Sequence, residues 1–162
     1  MDFDEMYMRM AMREARAAGE AGEVPVGAII IHPEIGLVGK AHNQVETLRD
    51  ATAHAEILAI TQAASAIGDW RLAECTLYVT KEPCPMCAGA LVFSRVKRVV
   101  WGVTDNLRGG QTRFGILDSP HMHHRVECAG GRLEEACRED FIAFFQNVRE
   151  SKIAKPNGKL NR

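Results

Sequence analysis

The feature that most constrains this chain is a set of short apolar runs, rich in β-branched residues, separated by stretches of helix length. The first run, residues 26–31 (Val-Gly-Ala-Ile-Ile-Ile), is bounded by Pro25 and by turn chemistry at Pro33-Glu34. A short apolar run between turn signals reads as a buried strand. Residues 35–41 then read as the returning strand of a hairpin. Residues 76–80 (Thr-Leu-Tyr-Val-Thr) have strong strand propensity. Residues 96–103 read as a further strand and residues 125–128 as a short one. Four helices are expected between and around these. Residues 3–19 place Phe3, Met6, Met10 and Ala17 near one face. Residues 52–67 have Thr52 as N-cap and Gly68 as terminator. Residues 86–95 follow Pro83 and Pro85, which bracket a helix start. Residues 133–149 carry Phe141, Phe144 and Phe145 at i, i+3, i+4 spacing, which predicts a buried face. Residues 43–50 and 104–124 read as loops. Helices alternating with strands after an initial hairpin predict an α/β fold, a three-layer α/β/α sandwich around one central mixed sheet. The 162 residues suit a single domain over 1–150. Residues 151–162 are expected to form a basic, mobile C-terminal tail.

Composition excludes some classes. No run of about 18 apolar residues is present, so no membrane span is expected. The acidic start Met1-Asp2-Phe3-Asp4-Glu5, with no apolar segment behind it, argues against a secretory signal. A formal net charge of −1 gives no global basic footprint for bulk nucleic acid. The chain has 5 cysteines, an odd number that does not suit a closed disulfide framework. It suits a reducing cytoplasm, with some thiols committed to metal or chemistry.

The chemistry is concentrated in His54-Ala55-Glu56 and Pro83-Cys84-Pro85-Met86-Cys87. Both groups fall at expected helix starts. Cys84 and Cys87, three apart in a first helical turn, can aim their sulfurs at one point. A helix N-terminus favours thiolate, the form that ligates metal. With one imidazole nitrogen from His54 this makes a borderline-soft N/S set, the kind zinc prefers. Three protein ligands leave a position for water, as catalytic rather than structural zinc sites do. Glu56 is the remaining ionisable group and is expected to shuttle protons rather than ligate. Each motif alone has a plainer reading: C-x-x-C as a redox pair, H-x-E as chance. Their combination, with strand–helix context at both, is the H-x-E…P-C-x-x-C signature of zinc deaminases. His121-Met122-His123-His124 lacks a ligand partner at suitable spacing and reads as a solvated loop. Cys75, Cys128 and Cys137 read as buried free thiols.

Taken together, these residues resemble the tRNA adenosine deaminase family of the cytidine deaminase-like superfamily. The likeness runs from about Phe3 to Arg149. It includes Glu23-Val24-Pro25-Val26-Gly27-Ala28, Asn43, Ala51-Thr52-Ala53-His54-Ala55-Glu56-Ile57, Leu77-Tyr78-Val79-Thr80 and Glu82-Pro83-Cys84-Pro85-Met86-Cys87-Ala88-Gly89-Ala90. Ser94-Arg95-Val96-Lys97-Arg98-Val99-Val100, His124-Arg125-Val126-Glu127 and Phe144-Phe145 extend it. The resemblance implies a cytidine deaminase-like fold and one Zn2+ per chain on His54, Cys84 and Cys87. It implies Glu56 as the catalytic group and Val26, Asn43 and Asp105 as substrate-binding residues. It also implies a homodimer, and a tRNA anticodon loop as partner. The chain departs from the family's pattern at residues 106–114 and at His123, where the family has Asn.

Three functions follow from these observations. The first is conversion of adenosine to inosine at the tRNA wobble position, with a zinc-activated water attacking C6 and Glu56 protonating N1 and then the leaving amine. The second is deamination of a free nucleobase or nucleoside, guanine or cytosine, on the same scaffold. The third, a non-catalytic zinc module that binds RNA, leaves Glu56 and the open coordination position without a role. Arg108 and Arg113 in the departing loop, and Arg149, Lys152, Lys155, Lys159 and Arg162 near the C-terminus, are candidate phosphate contacts.

Overall fold

The computed structural model describes residues 2–154. Five strands form one sheet in the order β2-β1-β3-β4-β5. They are β1 (Gly27–His32), β2 (Gly36–His42), β3 (Thr76–Lys81), β4 (Arg98–Val103) and β5 (Glu127–Ala129). The β1–β2 hairpin is antiparallel, with an irregularity at Ile30/Ile31, and β1 pairs antiparallel with β3. The β3–β4 and β4–β5 pairs are parallel. The sheet is therefore mixed, as the sequence predicts.

Both faces of the sheet are covered, which is why its central strands read as near-continuous apolar runs. On one face Ala28, Ile30, Leu77, Val79, Val99 and Trp101 pack with residues of α3 (Ala55–Ile67) and α4 (Pro85–Phe93). On the other, Ile29, Ile31, Tyr78 and Val100 meet α1 (Phe3–Glu20) and the start of α5 (Glu134–Ile153). Adjacent strand residues thus serve opposite layers. Close approach needs glycine at two strand positions: a Cβ on Gly27 would overlap the Ala11 carbonyl in α1, and one on Gly39 would press on the Ala59 carbonyl in α3.

Several local expectations are corrected. Helix α1 buries Met8, Ala11, Met12, Ala15 and Ala18, while Phe3 is 62% exposed. The short alanines let the helix backbone lie against Gly27, and this sets its inward face. In α5 only Cys137 is buried, and Phe145 is 43% exposed. Its phenylalanines pack on one another, with Phe144 and Phe145 ring centroids 5.2 Å apart. Helix α3 starts at Ala55 with His54 as N-cap. Thr52 instead closes a turn, its amide and hydroxyl bonding to Asp50 at 2.8 and 2.7 Å. Helix α4 stops at Phe93, before Arg95, which takes a left-handed φ of 62°. The expected loop at residues 43–50 contains a one-turn helix, α2 (Val45–Leu48). Residues 151–153, expected in the tail, belong to α5, which continues to Ile153; residues 155–162, including Lys155, Lys159 and Arg162, lie outside the described residues. Among the described residues no helix is long and apolar enough to cross a membrane.

Candidate active site

One end of the sheet collects the segments that matter. Strand β1 begins there, β2 ends there, and the parallel pair β3 and β4 both run out there. The N-termini of α3 and α4 point into the same region. His54 and Cys84 are the N-cap residues of these helices, and Pro85 occupies the first turn of α4. An N-cap has extended backbone, so its side chain can project from the helix end rather than along its flank. Two residues apart, His54 and Glu56 would point to nearly opposite sides of a helix; with His54 at the cap and Glu56 in the first turn, both line one cleft.

The cleft has a volume of about 400 Å³. Val26, Asn43, His54, Glu56, Cys84 and Asp105 are all on its wall. Cys87 lies just behind it, fully buried. The Sγ atoms of Cys84 and Cys87 lie 3.5 and 3.6 Å from Nδ1 of His54. The three potential ligand atoms are all within 4.8 Å of one another, so the group could hold a metal ion. The histidines at 121, 123 and 124 do not join such a group. His123 meets Phe93 edge-on with ring centroids 5.3 Å apart, and His124 Nε2 bonds the Val96 carbonyl at 2.8 Å.

The electrostatics of the group are uneven. Hydrogen bonding from the Cys87 thiol, aided by His54, pulls the Cys84 thiol down to about 4. Cys87 is pushed upward by its hydrogen bond to Cys84 and by burial, with the Glu56 and Cys84 charges adding to the effect. Its ionisation beside Cys84 and Glu56 is opposed by like charge, and a divalent cation removes that opposition. Glu56 is only 3% exposed, and burial raises its carboxyl above the usual range. Asp105 goes the other way: burial alone would raise it, but the amides of Arg108 and Leu107 and the Lys81 ammonium 3.2 Å away bring it down.

A protein-family model described as MafB19-like deaminase matches residues 2–149. A tRNA-specific adenosine deaminase of Bacillus subtilis (strain 168) is 47% identical over 156 residues, covering 95% of this chain and 96% of that protein. One from Aquifex aeolicus (strain VF5) is 47% identical over 150 residues, covering 92% of this chain and 98% of that protein. A solved structure from work on A-to-I editing by tRNA:A34 deaminases at the wobble position matches with a TM-score of 0.79 at 38% identity. It covers 83% of this chain and 98% of its own. The chain belongs to the tRNA-specific adenosine deaminase family.

Two carboxylates of this deaminase, Glu23 and Glu82, head motif segments of the sequence but have no role that the motifs assign. Glu23 is 1% exposed and accepts hydrogen bonds from the amides of Glu46 (2.9 Å) and Thr47 (3.1 Å). It thereby creates α2, and it explains why a polar segment read as loop forms a helical turn. Burial pushes Glu23 up, but the Thr47 and Glu46 amides outweigh it and hold the carboxyl low. Glu82, 3% exposed, does the same for the loop after β4. Glu23 stands two residues before Pro25, ahead of the apolar run of β1, and Glu82 directly before Pro83, just after β3. An acidic residue committed to such a place is a faint signal of a buried acceptor. Asn43 is oriented by the same wall: its Nδ2 donates to the Val24 carbonyl at 3.4 Å and its Oδ1 accepts from the Val45 amide at 3.2 Å.

Proposed function

We propose that this deaminase converts adenosine to inosine at the wobble position of a tRNA anticodon loop, and that it does so with one zinc ion per chain. The observation that carries the chemistry is the convergence of His54, Cys84, Cys87 and Glu56 at one cleft. Zinc fits the donor set. Tetrahedral zinc, with about 2.3 Å to sulfur and about 2.0 Å to nitrogen, separates those ligand atoms by about 3.5 Å. The two sulfur–nitrogen separations here are 3.5 and 3.6 Å. Held by His54, Cys84 and Cys87, the ion supplies a Lewis acid that makes water nucleophilic near neutral pH.

The chain's own residues do the rest. Glu56 takes a proton from the attacking water and delivers it to N1 of the base. It then takes the remaining proton from the hydroxyl added at C6 and hands it to the departing amine, so that water is consumed and ammonia released as C6 exchanges nitrogen for oxygen. The helix-end position of Glu56 and its near-complete burial keep competing solvent from the proton it carries. Asn43, with one amide hydrogen and one oxygen lone pair beyond its two wall bonds, holds the base edge. Val26 offers an apolar wall to the ring, and Asp105 holds Lys81 and its own loop at the rim. The tRNA substrate rests on the 47% identity to tRNA-specific relatives along nearly the whole chain. The same likeness supports a cytoplasmic site of action, and the homodimer rests on the motif resemblance alone.

The test is a side-by-side measurement of kcat/KM for an anticodon stem-loop with adenosine at the wobble position, and for free guanine and cytosine. The RNA is expected to be the better substrate by orders of magnitude. A free base with an equal or larger value overturns the substrate assignment and leaves the deaminase chemistry standing.

A further inference from the structure

Glu82 stands beside the cleft but has no part in the chemistry above. It follows Lys81, the last residue of β3, and precedes Pro83-Cys84. Its two carboxylate oxygens accept four hydrogen bonds, all from one loop. Oε1 accepts from the Asp105 amide at 3.3 Å and the Thr112 hydroxyl at 2.6 Å. Oε2 accepts from the amides of Gln111 at 3.2 Å and Thr112 at 2.8 Å. A carboxylate receiving this many donors is a strong anchor, because each bond is charge-assisted.

The loop has little freedom left. Gly109 lies directly on the Glu82 carboxylate, and any Cβ there would overlap it. The Gly110 amide donates to the Pro83 carbonyl at 2.8 Å, which seats the loop on the segment leading into Cys84. Asp105 closes the near side. Its side chain accepts from the amides of Leu107 (3.0 Å) and Arg108 (2.9 Å), and its carbonyl accepts from the Gly109 amide (3.0 Å). From 105 to 112, every residue except Asn106 is bonded through its amide within this assembly.

This framework presents Arg108 to the cleft. The other lysine or arginine on the cleft wall, Lys81, is engaged by Asp105 at 3.2 Å. Among the described residues no ion pair engages Arg108, and its side chain is exposed. A rim guanidinium without a carboxylate, on a loop held rigid from beneath, is suited to an external anion. A free base brings none. A base delivered into the cleft from a single-stranded RNA brings a phosphodiester on each side of it.

We propose that Glu82 is a positioning residue for substrate binding: by fixing the loop at residues 105–112 it sets Arg108 at the rim, where the guanidinium receives a phosphodiester flanking the target base. This rests on the RNA reading above. The loop's order is built in before substrate arrives, so its entropy is not lost on binding.

The test measures KM and kcat for the anticodon stem-loop across a salt series in Glu82→Gln, Arg108→Ala and the double variant. Glutamine keeps the shape of the side chain but turns an NH2 toward donors. Each single variant is expected to raise KM about tenfold with kcat changed less than about twofold. Each is also expected to flatten the salt dependence by about one phosphate contact. The double variant should be no worse than either single one, since both remove the same contact. Gly109→Ala, which displaces the loop with Glu82 intact, should reproduce the effect and serves in place of Glu82→Gln if that variant does not fold. Additive losses, or a salt slope unchanged in Glu82→Gln or Gly109→Ala, make Glu82 a purely structural residue and overturn the proposal. An unchanged slope in Arg108→Ala removes the phosphate contact and also overturns it. If the parent protein prefers a free base to the RNA, the RNA reading fails and takes this inference with it. A parent that does deaminate RNA isolates any failure to Glu82 and Arg108.

Discussion

Glu56→Gln separates the proton shuttle from the metal site. Glutamine matches the volume of glutamate, so the first turn of α3 should hold its place under the His54 cap, with the Leu58 amide still bonded to the His54 carbonyl at 3.1 Å. The atoms of His54, Cys84 and Cys87 that lie within 4.8 Å of one another do not include Glu56, so metal content should be unchanged. What disappears is the proton acceptor. General acid–base groups contribute about 10²–10⁴-fold to rate, or about 3–5 kcal/mol of barrier. The structure argues for the upper part of that range, because the buried and half-buried carboxylates on the cleft wall are engaged and the remaining one, Glu46, is exposed to solvent. Glu23 is occupied by two amides and Glu82 by four donors. Asp105 is engaged by Lys81 and by two amides of its own loop. Single-turnover formation of inosine in an anticodon stem-loop, with elemental analysis of the same sample, measures both quantities. A variant that keeps its metal and a rate within tenfold of the parent refutes the shuttle role. A variant that loses its metal makes Glu56 a ligand.

Two further outcomes follow from the geometry. Cys87→Ala removes a buried ligand, so the variant should fall from about one zinc per chain to near zero by elemental analysis and melt at lower temperature, because metal binding free energy adds to folding free energy; full occupancy would refute the ligand set. At the opposite face, Asp4 is held below its usual value of 3.8, chiefly by its hydrogen bonds from Arg98 at 2.7 and 2.9 Å, with Tyr78 and Arg132 assisting. A carboxyl depressed in the folded state contributes stability that is full above its unfolded value and is lost as pH falls through the folded one. Urea unfolding near pH 7 should therefore show Asp4→Asn weaker by about 1.5–3 kcal/mol, with the gap to the parent closing as the pH is lowered toward about 2; a gap that stays constant would show that the pair contributes nothing through charge.

How much could be read from the sequence follows from how local each determinant is. Strands β1, β3 and β4 were legible because burial on both faces demands unbroken β-branched runs, which any window of the chain displays. The convergence of His54, Cys84 and Cys87, a group that could hold a metal ion, was legible for a related reason: two helix starts, His54 at one and Cys84 and Cys87 at the other, are each fixed within four residues. The inward faces of α1 and α5 were not. Phenylalanines outrank alanines in any hydrophobic pattern, yet the contact with Gly27 selects Ala11 and Ala15 and leaves Phe3 outside. The cleft walls were least legible. Helix α2 exists because Glu23 accepts amides 23 and 24 residues away, and the rim loop is ordered because Glu82 accepts donors 23 to 30 residues away. Nothing within either segment announces its partner. The chemistry of this deaminase is thus written in short motifs, while the shape of the surface that receives the substrate depends on buried carboxylates whose work is done at a distance. Substrate choice can then change through residues 106–114 without any change at His54, Glu56, Cys84 or Cys87, provided the new loop still offers Glu82 its donors.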